Sequence, residues 1–241
     1  MNTEKLIIGL NIISTGKYDV FINPLIDSLE KYFFTNNKVV LHLFWDKDYE
    51  IKTSERFSVI YIPTEHKPFP YPTLYRYKYF TNVADKIKCD YLFYLDVDML
   101  LVDNVDIEIL PDIDSGLVSV GHCGFWNGGG SWGQNINSKS FTPIEHRRRY
   151  YAGGFQGGKT EKYLAACLAM ATDISDDESR NVLAEWHDET HWNKYLSTRE
   201  SKMLTPSYCM VEEIELRKKW GITDFTPKII ALKKNHIEIR S

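Results

Sequence analysis

Five short apolar runs, separated by helical patterns, constrain the fold of this chain more than any other feature. The runs occupy residues 6–13, 39–44, 58–62, 91–95 and 117–120. Apolar residues recur about every 3.6 residues across 18–34, and residues 72–87 form a second helical candidate with proline near its start. Buried parallel strands are apolar on both faces and need helical connections. The pattern therefore predicts an α/β fold with a single, mostly parallel mixed sheet flanked by helices.

The second half of the chain changes character after the fifth run. Residues 121–149 include the glycine-rich stretch 127–133 and the basic stretch 146–149, which predict a long loop or a substrate-facing lid, with a plain surface loop as the alternative. Residues 160–172 predict another helix, and residues 173–179 look acidic and turn-like. Since neither a repeat nor a linker stands out, we predict one domain over residues 1–241.

Composition excludes several classes of protein. A net charge of −4 and a pI of about 6.0 argue against a protein that wraps nucleic acid, and four scattered cysteines without a C-x-x-C pair argue against a zinc site. Residues 6–13 fit a first strand better than a signal peptide, because Asn11 interrupts them. No stretch approaches the roughly 18 apolar residues of a membrane span. We expect a cytoplasmic protein.

Two carboxylates follow the apolar run 91–95. Asp96 and Asp98 stand one residue apart at the predicted carboxyl end of a strand, where open α/β sheets bind ligands. Paired hard oxygen ligands suit Mg²⁺ or Mn²⁺, and such an ion can hold a diphosphate. The motif indicates a metal-dependent enzyme acting on a nucleotide-linked substrate, although a solvated turn is the commoner origin of an isolated Asp-x-Asp.

Three further segments carry candidate chemistry. Residues 150–158 contain two glycine pairs, which fit either a wall that approaches a ligand closely or a bent pair of strands. In residues 186–193, Asp188 and Glu189 could orient a sugar and stabilise a developing cation, or simply begin a helix. The basic tail with Lys234 and Arg240 fits closure over a diphosphate or a solvated terminus.

These motifs in this order carry a family resemblance. The chain contains a strand followed by Asp-Val-Asp-Met, then His-Cys-Gly-Phe-Trp, then Tyr-Tyr-Ala-Gly-Gly-Phe-Gln-Gly-Gly, then Trp-His-Asp-Glu-Thr-His-Trp-Asn-Lys-Tyr, and finally Lys-Asn-His. From residue 12 to residue 240 it closely resembles glycosyltransferase family 6, which includes the blood-group A and B transferases, the α1,3-galactosyltransferase and short bacterial relatives.

The resemblance implies a GT-A fold and a retaining, metal-dependent transferase. Such an enzyme moves GalNAc or galactose from UDP to a hydroxyl of an acceptor glycan, forming an α1,3 link. Asp96 and Asp98 match the family's Asp-x-Asp, which holds Mn²⁺ (or Mg²⁺) against the UDP diphosphate. The other implied donor-binding residues are Ile13, Thr15, Tyr18, Arg76, Val97, Ala152, Gly153, Gly154, Asp188, Lys234 and Arg240.

The same resemblance implies catalytic, acceptor and specificity roles. Glu189 matches the family's candidate nucleophile, while His122 and Trp186 match residues on the acceptor side. The stretch at Ala152 and Gly154 sets donor choice in the family, and its small residues leave room for a 2-acetamido group. We therefore expect UDP-GalNAc as donor, with UDP-galactose second, although a roomy pocket discriminates weakly against the smaller sugar.

Departures from the family pattern fall in the acceptor region. The family's His-Pro-Gly-Phe-Tyr reads His-Cys-Gly-Phe-Trp here, and its Phe-Thr-Tyr-Glu-Arg-Arg run is replaced across residues 141–149. The lack of the membrane anchor and stem of the animal enzymes leads us to expect a bacterial or viral cytosolic member. A metal-dependent phosphodiester hydrolase and a silent carbohydrate-binding homologue remain as alternatives.

Overall fold

The computed structural model describes residues 6–240. Its strands are β1 (Ile7–Ser14), β2 (Lys38–Trp45), β3 (Phe57–Pro63), β4 (Tyr91–Leu95), β5 (Met99–Leu101), β6 (Leu117–Gly121), β7 (Tyr151–Lys159), β8 (Lys202–Leu204), β9 (Met210–Val211) and β10 (Ile229–Ala231). Its α-helices are α1 (Ile22–Tyr32), α2 (Tyr71–Leu74), α3 (Arg76–Asn82), α4 (Thr160–Ser179), α5 (His187–Leu196), α6 (Ile214–Lys219) and α7 (His236–Arg240).

A seven-stranded mixed sheet forms the centre of the molecule. Its strand order is β3-β2-β1-β4-β7-β6-β8. The first four strands in this order run parallel, β7 runs antiparallel to both β4 and β6, and β8 is parallel to β6. Helices cover both faces, and the predicted α/β architecture with a mostly parallel mixed sheet is confirmed. The predicted strand at 91–95 is reproduced residue for residue, and the other four differ by one residue at their ends.

The glycine-rich segment 151–159 is a central strand. At Gly157, an added Cβ would lie 2.4 Å from the carbonyl oxygen of Leu92, so only glycine lets β7 approach β4 this closely. The same strand carries Gly153 and Gly154 past the carboxyl end of β4, where Gly154 accepts a hydrogen bond from the Asp96 N–H at 2.9 Å. The two interpretations of this segment therefore combine, because one close-packed strand also forms a wall of the site.

Three local predictions were wrong in extent or type, at residues 173–179, 72–87 and 18–34. Residues 173–179 are not a turn, because α4 continues through them with Ile174 and Asp177 buried. The predicted helix at 72–87 is broken into α2, α3 and a 3₁₀ turn at Ala84–Lys86. The helix predicted over 18–34 begins as a 3₁₀ turn at Gly16–Phe21 and becomes α-helical only as α1.

Three short strands form a second sheet beside the end of β4. Their order is β5-β10-β9, with β10 antiparallel to β5 and parallel to β9. The Leu232 N–H also donates to the Asp98 carbonyl at 2.9 Å. This sheet ties the C-terminal segment to the turn that carries Asp96 and Asp98, and it brings Lys234 next to that turn.

Candidate functional site

The buried side chain of Arg76 joins the two groups of carboxylates that the sequence separates widely. It is 2% exposed, and its guanidinium lies 3.2 Å from Asp96 Oδ1 and 3.1 Å from Asp188 Oδ2. It also donates to the Gly153 carbonyl at 2.7 Å and lies 4.1 Å from the ring centroid of Tyr94. An Arg fork that is fully enclosed and paired on two sides holds both carboxylates in fixed positions.

The first turn of α5 directs Asp188 and Glu189 towards β7. His187 begins the helix with φ +52, a left-handed conformation that is uncommon for a non-glycine residue. Glu189 Oε2 then accepts a hydrogen bond from the Gly153 N–H at 2.8 Å. The amide of Asn193, one turn later, bonds both the N–H and the carbonyl of Tyr151, at 2.7 and 2.8 Å. Hydrogen bonds thus join α5 to β7 at Glu189 and again one helical turn later, at Asn193.

Opposing electrostatic effects act on the pKa of Asp188. Burial raises the pKa of Asp188 to about 7, the Arg76 guanidinium draws it down, and the neighbouring Asp96 and Glu189 carboxylates add to the rise. Burial lowers the pKa of Arg76, but the carboxylates and Tyr94 outweigh this and leave it well above its usual value. Arg76 therefore stays charged, and its pairing offsets part of the cost of enclosing the acids.

A cleft beside Arg76 collects most of the predicted donor-binding residues. This donor cleft is lined by residues that the family resemblance implies for the donor and its metal, namely Ile13, Thr15, Tyr18, Asp96, Val97, Asp98, Lys234 and Arg240. Gly153, Gly154 and Asp188 adjoin the cleft through Arg76 and Asp96, whereas Ala152 is buried in β7 opposite Val120. A Cβ at Gly154 would lie 3.1 Å from Asp96 Oδ2, so the closeness of this acid requires a small residue there.

The C-terminal segment closes one side of this cleft. Lys234 forms an ion pair with Asp98 Oδ2 and lies 5.6 Å from the ring centroid of Tyr18. Arg240, in α7, lies 3.7 Å from the ring centroid of Phe69, and Ile239 also lines the cleft. Both basic residues of the predicted tail therefore line the cleft, with Lys234 partly buried and Arg240 still exposed to solvent.

The acidic pair fits a divalent cation whose remaining ligands come from the substrate. The Asp98 side chain, which is 8% exposed, already pairs with one cationic group, the Lys234 ammonium. Within residues 6–240, no cluster of three or more His, Cys, Asp or Glu side chains is arranged to hold a metal. Two carboxylates completed by diphosphate oxygens and water suit Mg²⁺ or Mn²⁺. The residues present therefore fit the ion implied by the family, with Asp96 and Asp98 as its protein ligands.

The predicted acceptor residues, His122 and Trp186, both lie close to Glu189. The His122 ring lies 5.7 Å from that of Tyr150, and burial lowers the pKa of His122 while the charge of Glu189 opposes the shift. Trp186 is 54% exposed just before α5, which leaves its indole free to meet a ligand. Neither residue lines the donor cleft, so the structure separates them from the nucleotide side.

Sequence reasoning missed several residues of the site. His66, Phe69 and Thr73 line the donor cleft, and Tyr94 both lines it and donates to Asp96. The phenol of Tyr150 lies near Glu189, and its pKa is raised by burial and then by that carboxylate. The proline-rich stretch 68–72 was a usable signal for a ligand-facing loop. Tyr94 gave no signal, because a tyrosine inside an apolar strand looks like any core aromatic.

The predicted lid is attached to the body of the protein by hydrogen bonds. Asp177 of α4 accepts from the Ser138 hydroxyl at 2.6 Å and from the Lys139 N–H at 2.8 Å. The Asn137 carbonyl accepts from Arg180 at 2.6 Å, and Glu185 accepts from the Gln134 N–H at 3.0 Å. The middle of the 121–149 segment is thereby held on α4 and on the approach to α5.

Comparisons with known proteins agree on one family. A family model described as glycosyltransferase family 6 matches residues 1–241. Histo-blood group ABO system transferase 1 of Rattus norvegicus is 27% identical over 97% of this chain and 68% of its own length. Globoside alpha-1,3-N-acetylgalactosaminyltransferase 1 of Gallus gallus is 26% identical, covering 98% and 70%. O-antigen biosynthesis glycosyltransferase WbnI of Escherichia coli is 26% identical, covering 86% and 89%.

Across residues 6–240, every helix is too short or too polar to cross a bilayer.

Proposed function

Because the chain belongs to glycosyltransferase family 6 and is therefore a hexosyltransferase with a nucleotide-sugar donor, we propose that it transfers GalNAc from UDP-GalNAc to a glycan. Galactose from UDP-galactose is the second donor. The anomeric configuration of the sugar is retained, the new bond is α1,3, and the reaction depends on Mn²⁺.

The observation that carries the proposal is the bridge that Arg76 makes between Asp96 and Asp188. It joins an acidic pair suited to a metal–diphosphate with the carboxylates Asp188 and Glu189 in one enclosed network. A transferase must hold the leaving diphosphate and the sugar in a fixed relation, and a common cationic anchor does this without relying on a flexible loop.

Each group in this network has a role in the proposed reaction. Asp188 binds donor-sugar hydroxyls, and Lys234 and Arg240 neutralise the phosphates. Glu189, oriented by the Gly153 N–H, lies on the sugar side and stabilises the positive charge that grows at the anomeric carbon. Asp96 and Asp98 would hold a divalent ion, which would supply positive charge against the departing UDP. His122 and Trp186 bind the acceptor.

The choice of GalNAc rests mainly on a similar protein that is itself named as an N-acetylgalactosaminyltransferase. Ala152, Gly153 and Gly154 add no bulky side chain to this part of β7, but the space at Gly154 is already filled by Asp96, Met99 and Cys209. GalNAc is therefore the first donor proposed, and galactose, as the smaller sugar, is not excluded.

Release of UDP tests the proposal directly. We expect the full chain to release UDP from UDP-GalNAc with Mn²⁺, more slowly from UDP-galactose, and not at all with EDTA. A phosphodiester hydrolase would instead attack phosphate and yield a sugar phosphate, and a silent binding protein would release nothing. The hydrolase is the less favoured reading, because residues 6–240 lack the larger ligand cluster expected for two metals. A binding protein would have no need of the Asp96, Asp98 and Glu189 carboxylates together.

A further inference from the structure

A second open cleft, separate from the donor cleft, lies between the start of β7 and the end of α5. It is bounded by residues 146–151, which lead into β7, and by residues 196–201, which end and follow α5. Its volume is about 660 Å³, which falls within the roughly 300–1,000 Å³ typical of small-ligand sites. No residue lines both this cleft and the donor cleft. Of its lining residues, Tyr151 also contacts the site described above, through Asn193.

Three exposed arginines give this cleft its charge. Arg148, Arg149 and Arg199 line it, and Glu200 is the carboxylate among its lining residues. Within residues 6–240, none of the three makes an ion pair with a carboxylate, whereas Arg56, Arg76 and Arg180 all do. In a chain with net charge −4, this concentration of guanidinium groups without carboxylate partners creates a local positive potential that favours the binding of an anion.

Two of these arginines are held by aromatic rings. The Arg199 guanidinium lies 4.2 Å from the ring centroid of Tyr195 and donates to the Tyr195 carbonyl at 3.0 Å, while Arg149 lies 5.8 Å from the ring centroid of Trp126. Stacking restricts the side chain but leaves further N–H groups of the fork available. A fork that is already positioned binds a carboxylate or a phosphate at a lower entropic cost.

The cleft is connected to the reacting carboxylate through β7. Tyr151 lines the cleft and is bonded to Asn193, whose amide also donates to the Glu189 carbonyl at 2.9 Å. Gly153, which bonds Glu189, lies two residues further along the strand, a distance of about 6.6 Å. Leu196, which also lines the cleft, lies at the other end of α5 from Glu189, about 10.5 Å along the helix. A group bound in the cleft therefore lies beyond the sugar whose hydroxyl is presented to Glu189.

We infer that Arg148, Arg149 and Arg199 bind an anionic group on the acceptor, a carboxylate or a phosphate carried beyond the sugar that holds the reacting hydroxyl. The inference rests on the proposed transferase function and adds the chemical class of its acceptor. A carboxylate would come from an acidic sugar such as a uronic acid, and a phosphate from a glycosyl phosphate. Both present pairs of anionic oxygens that a guanidinium fork can bind with two parallel hydrogen bonds.

Direct binding tests the site without requiring turnover. The full chain, with UDP and Mn²⁺ saturating the donor cleft, is titrated with methyl β-galactoside, methyl β-glucuronide and galactose 1-phosphate. We expect at least one charged probe to bind tenfold or more tightly than the neutral one, and added salt to remove the difference. The charged probe that binds identifies the source of the anion. Equal affinity for all three probes would overturn the inference.

Substitutions locate the binding. Arg148→Gln and Arg199→Gln should each weaken the charged probe fivefold or more, and Arg199→Lys should restore only part of the affinity because a point charge replaces the fork. Lys88→Gln removes an exposed charge that does not line the cleft and should leave the affinity unchanged. Weakening by Lys88→Gln to the same extent, or no effect of either arginine change, would contradict an arginine-specific site.

Transfer assays separate failure of this inference from failure of the proposed function. With wild-type protein, UDP release without acceptor reports on the transferase alone. A lower KM for a charged acceptor than for its neutral counterpart, lost in Arg199→Gln, supports the anionic acceptor. If UDP is released but KM is the same for both acceptors, the transferase assignment stands and the anionic acceptor is rejected. If no UDP is released but the charged probe binds, the transferase proposal fails while the anion site remains.

Discussion

At the scale of single residues, the site depends on how one buried cation organises several acids. Arg76 is enclosed with Asp188, which is 4% exposed, and it reaches Asp96 on the other side. Removing one partner of such a pair leaves the other charge buried without compensation, which costs about 3–5 kcal/mol. The positions of Asp96 and Asp188 are therefore coupled, although the two residues are far apart in sequence.

Replacing Glu189 with Gln tests its proposed role at the anomeric carbon. Gln keeps the shape and can still accept from the Gly153 N–H, but it loses the charge that stabilises a developing cation. We expect kcat to fall by about 10²-fold or more while donor affinity changes only a few-fold. Steady-state kinetics and calorimetric titration with UDP measure the two effects. Glu161→Gln, on the exposed face of α4, is the matched control, and near-normal turnover of Glu189→Gln would remove this residue from the mechanism.

Replacing Asp98 with Asn tests the metal assignment. The change removes one of two anionic oxygen ligands, so we expect the affinity for Mn²⁺ and for UDP to fall together by about tenfold or more. Calorimetric titration of Mn²⁺ in the presence of UDP measures this. Asp114→Asn, on an exposed turn, should bind both as the wild type does. An unchanged Mn²⁺ titration of Asp98→Asn would count against the site.

At the scale of elements, β7 and α4 position the surroundings of Glu189 and the 121–149 segment. β7 brings its glycines beside Asp96 and Glu189, and α4 holds the 121–149 segment through Asp177. Asp177 is 2% exposed and also pairs with Arg180 at 2.7 Å, so its carboxylate is satisfied on several sides. A single buried acid thus links the loop to the helix.

Replacing Asp177 with Asn should release this loop. Asn removes the charge that pairs with Arg180 and leaves one oxygen to accept where the Ser138 hydroxyl, the Lys139 N–H and the Arg180 guanidinium now share two, which weakens this buried network by about 1–3 kcal/mol. Local opening should then increase by about tenfold or more, and with it tryptic cleavage after Lys139 or within 147–149. Limited proteolysis followed by mass spectrometry measures the sites and rates. Asp173→Asn, one turn earlier on α4, should be cleaved like the wild type.

At the scale of the whole molecule, buried titratable groups give stability a dependence on pH. Burial lowers the pKa of His42 and of His191 to about 4, from 6.5 when exposed. Between pH 4 and pH 6.5 the unfolded chain binds more protons, so stability rises with pH through this window. Asp188 acts in the opposite direction, because its raised pKa makes stability fall between pH 3.8 and about 7. The two histidines outweigh the one acid, so we expect a net rise towards neutral pH.

Replacing His42 with Gln tests the contribution of that histidine. His42 is fully buried in the centre of β2, beside Asn11 of β1. Without its imidazole, the gain in unfolding free energy from pH 4.5 to pH 6.5 should shrink by about 2 kcal/mol, as expected for one group with this shift. Urea unfolding at several pH values measures the slope. Lys88→Gln should leave the slope as it is, and an unchanged slope in His42→Gln would refute the assignment.

The sequence by itself determined the α/β class and the family. It also located the five leading strands, one of them residue for residue and the other four to within one residue. Apolar runs and ordered motifs are local properties, so they can be recognised before folding. Only the tertiary structure decided that Arg76 would bridge Asp96 and Asp188, that 173–179 would continue a helix, and that three arginines would line one cleft. Those outcomes depend on which distant segments meet, because burial and charge pairing act through space rather than along the chain.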